Sequence, residues 1–163
     1  MQAKEALKIG LTSTQNLVAW YVSDLTDQDL TVRPVPSANN VAWQLGHLIE
    51  GEVALGGELP GATYPQLPAS IKGQYDKKTA SRGPAGGYLT KNQYLELFNQ
   101  ARAATIANVD KLSDADLDKP NTGSMAKFAP RYADLIVLLA NHALMHAGQF
   151  TVIRRALGKP ILL

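Results

Sequence analysis

Four long stretches of this chain carry apolar residues at helical spacing, and no stretch shows the sustained alternation of a half-buried strand. In residues 4–24 the stripe is Leu7, Leu11, Leu17, Val18, Tyr21 and Val22. In residues 41–56 it is Val41, Leu45, Leu48, Val53 and Leu55. A third runs from about 91 to 111 through Tyr94, Leu97, Phe98, Ala101, Ala104, Ile106 and Val109. The last, from about Pro130 to Leu157, contains Leu135, Leu138, Leu139, His142, Met145, His146, Gln149 and Ile153. A helix with one apolar face must bury it against another element. The sequence therefore predicts an all-α chain, a single domain over 1–163, with four helices packed as a bundle.

Local signals set the expected boundaries. Asn39 or Asn40 is a good N-cap for the second helix, and Gly56-Gly57 stops it. Thr90 and Gln93 have capping-box spacing for the third. Pro130 suits the first turn of the last, which Gly158 ends with Pro160 just beyond. Residues 25–40 read as a loop with a helical turn at Asp27–Leu30. The stretch from Gly56 to Thr90 holds seven glycines and four prolines. That density argues for a long flap between the second and third helices, with a short helix near Ser70–Lys78. A weak repeat links LTDQDL (25–30) and Arg33-Pro34 to LSDADL (112–117) and Lys119-Pro120. Each unit is followed by a helix bearing histidine.

Composition narrows the chemistry. There is no cysteine, which excludes disulfides, thiolate metal sites and a cysteine nucleophile. Sixteen Lys+Arg against fourteen Asp+Glu give a net charge of +2, with the basic residues scattered. That is not the footprint of a nucleic-acid binder. The N-terminus has no apolar signal-peptide core, and no uninterrupted apolar run approaches the ~18 residues of a membrane span. The expectation is a cytoplasmic protein without nucleic-acid or membrane partners.

The three histidines are the most informative polar residues. His142 and His146 are four apart and share the apolar face of the last helix. Two inward imidazoles need partners, because a buried polar group left unpaired costs ~1–3 kcal/mol. A divalent metal satisfies both; so do backbone carbonyls. His47 lies in the apolar run of the second helix; if the repeat reflects two-fold-like packing, that helix neighbours the last and His47 completes a three-nitrogen site. Three neutral imidazoles suit Zn, Ni or Fe and leave a coordination position open.

NNVAWQLGHLIEGE (39–52) and HALMHAGQFTVIRRALGKP (142–160) resemble the two signature segments of the DinB-like proteins, the DinB/YfiT superfamily. The L-[ST]-D-x-D-L and Arg-Pro elements fit as well, and only the 57–90 loop is poorly matched. The resemblance implies a four-helix bundle with a long crossover between helices two and three. It also implies a metal held by His47, His142 and His146, and a homodimer. It points to a transferase, isomerase or hydrolase that uses a low-molecular-weight thiol with a small-molecule substrate. The alternative is a metal-binding or dimerising module whose site is vestigial.

Other residues carry two readings each. Glu50, three after His47, is a candidate general base or fourth ligand, or an ordinary helix carboxylate. Gln149 can orient a ligand or cap a backbone group, and Trp43 can line a substrate pocket or belong to the core. Arg154 and Arg155 fit an anionic substrate, or a solvated helix end. Tyr64, Tyr75 and Tyr88 can wall a lid or anchor the loop. Off the histidine stripe, Ile136, Val137, Leu144 and Val152 form a second apolar surface, which a homodimer would cover.

Overall fold

A computed structural model describes residues 2–76 and 78–162. It is all-helical: α1 (Ala3–Val22), α2 (Val41–Gly56), α3 (Lys91–Lys111), the single turn α4 (Asp114–Leu117) and α5 (Tyr132–Ala156). A 3-10 turn spans Asp29–Thr31. Among the described residues there is no strand, only a lone bridge between Pro120 and Arg131.

The caps explain these limits. Asn40, not Asn39, caps α2, its side chain accepting the Trp43 N–H at 2.8 Å. Thr90 and Gln93 form a reciprocal capping box on α3. The two repeat segments build the same device: Thr26 with Asp29, and Ser113 with Asp116, exchange side-chain-to-backbone bonds. Pro130 does not enter α5. The bridge to Pro120 holds Arg131 extended, with φ −121° and ψ 163°, so Arg131 is the N-cap and Pro130 precedes it. No helix forms at 70–78, where the described residues make a series of turns; Lys77 lies outside them.

Helix α1 packs against α5 and α3, and α2 packs against α3 and α5, closing a ring of four. Two apolar clusters fill it. One gathers Val18, Val22, Leu45, Ile49, Phe98 and Phe150; the other gathers Leu11, Val109, Leu135, Ile136 and Leu139. Followed along each helix, α1 and α5 run from the second cluster to the first, whereas α2 and α3 run the other way. Consecutive parallel helices cannot be joined by a tight turn. The α2–α3 connection must return along the whole assembly, and residues 57–90 do this.

Between the clusters lies a buried polar layer. Arg102 and Glu52 pair at 2.9 Å with side chains 0% and 3% exposed. Thr105 donates to Glu52 at 2.6 Å, and Arg102 also donates to the Leu11 carbonyl at 3.1 Å. Arg154 is a second buried cation. It is fully enclosed, bonds the Asp24 carboxylate and donates to the Tyr21 and Pro160 carbonyls. It thus ties the end of α5 to the end of α1 and is neither a solvated helix end nor free for an anionic substrate; Arg155 is exposed.

Among the described residues one helix, α5, is long and apolar enough to cross a membrane by length and composition, with a mean hydropathy of 1.4 over its most apolar window. Here it packs against α1 and α2, and the core helix of a compact protein satisfies the same criterion.

Candidate metal centre

The crossing of α2 and α5 brings His47, His142 and His146 together. One ring nitrogen from each lies within 4.8 Å of the others. The ring centroids are 4.9–5.3 Å apart: 4.9 Å for His142–His146, 5.1 Å for His47–His142 and 5.3 Å for His47–His146. His146 is buried; His47 and His142 are half-buried, so the group opens toward their side. The α5 pair meets because one turn separates the two residues. Room for the His142 ring comes from Gly51, one turn after His47. A Cβ at Gly51 would sit 3.0 Å from His142 Cε1.

Hydrogen bonds fix which nitrogen faces inward. His47 Nδ1 lies 3.0 Å from the Tyr75 carbonyl, which can only accept, so Nδ1 carries the proton and donates. His146 Nδ1 lies 2.8 Å from Gln44 Oε1. The Gln44 amide is oriented by its own Nε2, which donates to the Asn39 carbonyl at 3.1 Å. Its oxygen therefore faces His146, and Nδ1 of that ring is also the donor. In the neutral form of each ring, Nε2 is then the nitrogen left to accept. His146 Nε2 is buried with no hydrogen-bond partner among the described residues.

Electrostatics favour neutral rings. Burial pushes His146 down to about 3, with the other two histidines adding to the effect. Burial, then His47 and Arg102, pushes His142 down to about 4. Neutral imidazole is the form that ligates a metal. The donor set, the orphaned nitrogen and the absence of a Cβ at Gly51 all fit a divalent ion held by these three residues.

The remaining sequence candidates fall in different places. Trp43 is buried and stacks on His47, with centroids 5.0 Å apart and planes 11° from parallel. Gln149 is exposed and lines a cavity of about 120 Å³ with Gln44, Asn39 and Val152. The residue bonded to the His146 ring is Gln44, three before His47, which the sequence reading passed over. Both Glu50 oxygens accept backbone N–H bonds, from Gln74 and Tyr75 at 3.1 Å each. Tyr64 and Tyr75 anchor the loop: their hydroxyls meet Thr105 at 2.7 Å and Tyr94 at 2.6 Å.

Fold and site together define an all-helical protein with a preassembled three-imidazole group on two helices. The family model of the DinB superfamily matches residues 11–150, and the chain belongs to that superfamily. Its members often bind metals. No curated protein matches the sequence. Among solved structures, the fold is similar to that of a conserved protein from Enterococcus faecalis, with a TM-score of 0.69 and 15% identity. The match covers 98% of this chain and 99% of that one.

Proposed function

We propose that this protein is a four-helix bundle of the DinB/YfiT type whose His47, His142 and His146 hold a divalent metal, Zn, Ni or Fe. We propose further that the centre serves a cytoplasmic, homodimeric enzyme acting on a small electrophile with a low-molecular-weight thiol. The observation that carries the metal reading is His146 Nε2, a buried acceptor without a partner among the described residues, beside two further imidazoles. A nitrogen in that position costs ~1–3 kcal/mol unless something is bound to it. The bound ion would supply Lewis acidity, lowering the pKa of a thiol or water at its open position.

The chain's own contribution is orientation and shielding. Gln44 and the Tyr75 carbonyl hold two rings in the ligating tautomer, and Trp43 covers one face of His47. Half-buried His47 and His142 leave the approach for a small substrate on their side. Thiol use rests on the family likeness.

Elemental analysis of purified protein tests the metal. His146→Ala should abolish stoichiometric uptake while the helical circular-dichroism spectrum persists. Turnover of a test electrophile across a panel of thiols, with and without metal, tests the reaction. The second reading, a metal-binding module without chemistry, is favoured by Glu50, whose two oxygens are already engaged by backbone N–H groups. Stoichiometric metal without turnover on any thiol would support it.

A further inference from the structure

The crossover loop touches α2 on the face that carries His47, and it does so at four successive points. The indole Nε1 of Trp43 donates to Thr79 Oγ1 at 3.3 Å. The ring of Tyr75, fully buried, lies on Gly46, where a Cβ would collide with it. His47 Nδ1 donates to the Tyr75 carbonyl, and the Glu50 carboxylate grips the N–H groups of Gln74 and Tyr75. Residues 43, 46, 47 and 50 share one helical stripe. The loop is therefore laid along the back of the ligand that α2 supplies.

We propose that Glu50 is a positioning residue for the metal and that metal uptake and closure of the loop are one coupled equilibrium. The proposal rests on the three-histidine reading above. Each half of the coupling has a cause. The two-pronged grip of Glu50 sets the backbone at 74–75, and that backbone aims the Tyr75 carbonyl at His47 Nδ1. With this acceptor in place the ring is fixed with Nε2 free to ligate; without it the ring can rotate or change tautomer. Conversely, an ion on Nε2 holds the ring still, so the carbonyl finds its donor in place and the loop is retained. Linkage makes the effect reciprocal: the factor by which closure of the loop raises metal affinity is the factor by which bound metal favours closure, so opening the loop weakens the metal and the metal tightens the loop. A charged acceptor with two backbone donors is stronger than a neutral one. Gln in place of Glu50 keeps one acceptor oxygen and should retain part of the effect.

The test uses the full-length protein and zinc itself. Zinc affinity is measured by competition with a chromophoric chelator, and amide exchange at Gln74 and Tyr75 is measured with and without zinc. Wild type should bind zinc and slow exchange at both amides on binding. Glu50→Ala should bind zinc about tenfold or more weakly, with fast exchange at both positions, and Glu50→Gln should fall between. His146→Ala should lose zinc binding and, with it, the zinc-induced slowing. Glu50→Gln or Glu50→Ala with wild-type zinc affinity would overturn the proposal and leave the metal reading intact. So would a zinc-loaded wild type whose Gln74 and Tyr75 amides exchange as in the metal-free form. Wild type that takes up no zinc, nickel or iron would overturn both.

Discussion

The buried pair Glu52–Arg102 permits a test in which two halves of one interaction respond differently to pH. Both side chains are enclosed and bonded at 2.9 Å, with Arg102 also 5.3 Å from the centre of the Phe98 ring. Burial pushes the Glu52 carboxyl up, and the charge of Arg102 opposes it. Removing one partner of such a pair costs ~3–5 kcal/mol, a large part of a typical 5–15 kcal/mol stability. Glu52→Gln strands a guanidinium that cannot shed its proton, so its cost should hold near ~3 kcal/mol at any mild pH. Arg102→Met strands a carboxyl instead, and a carboxyl can take up a proton. With the cation gone, its folded pKa rises further above the unfolded value. The folded state then binds more protons than the unfolded one, so stability is recovered as pH falls through the folded pKa. The limiting slope is about 1.4 kcal/mol per pH unit. Between pH 7 and pH 5.5 Arg102→Met should therefore regain up to about 2 kcal/mol relative to Glu52→Gln. Urea unfolding of both variants and wild type at the two pH values measures this, because other titrations cancel in the differences. Parallel pH dependence in the two variants would refute the reasoning.

Further outcomes follow from the histidine group and the surface. Gln44→Ala removes the acceptor that fixes His146 and should weaken zinc by about 10–100-fold, read by chelator competition; unchanged affinity would contradict it. In metal-free protein, His142 and His146 titrate near 4 and 3 when folded against about 6.5 when unfolded. The unfolded chain takes up their protons first, so stability is fully present above pH 6.5 and is lost as pH falls toward 4. The His142→Gln/His146→Gln double variant in EDTA should show a shallower decline between pH 7.5 and pH 5, and equal slopes would count against the assignment. Val137, Leu144, Met145 and Val152 stay exposed on α5, while Ile136 is in the core. Light scattering should give twice 17.6 kDa, and Leu144→Glu should return the mass to that of one chain; a wild-type mass of 17.6 kDa would sink the dimer.

What the sequence made legible is what local chemistry decides. The α2 and α3 starts are written in Asn40 and in Thr90 with Gln93, because an N-cap acts within three residues of itself. The inward aim of His142 and His146 is set by one helical turn within α5. Partnerships between elements obey no such rule. Gln149 lies one turn beyond His146 on the same helix, and spacing alone made it the candidate to hold that ring. The bond goes to Gln44, because the ring's Nδ1 faces the neighbouring α2 across the helix crossing. Arg154 read as a solvated helix end because Asp24, which enters its ion pair, is 130 residues away in the chain. Glu50 did carry a signal. A carboxylate flanked by Leu48, Ile49 and Gly51 on an apolar helix needs donors, and a glycine-rich loop whose backbone amides lack helical partners is where donors are found. Buried or half-buried charge on an otherwise apolar stripe is thus the feature of this chain from which a long-range contact can be anticipated, and Glu50, Glu52 and Arg102 all satisfy that description.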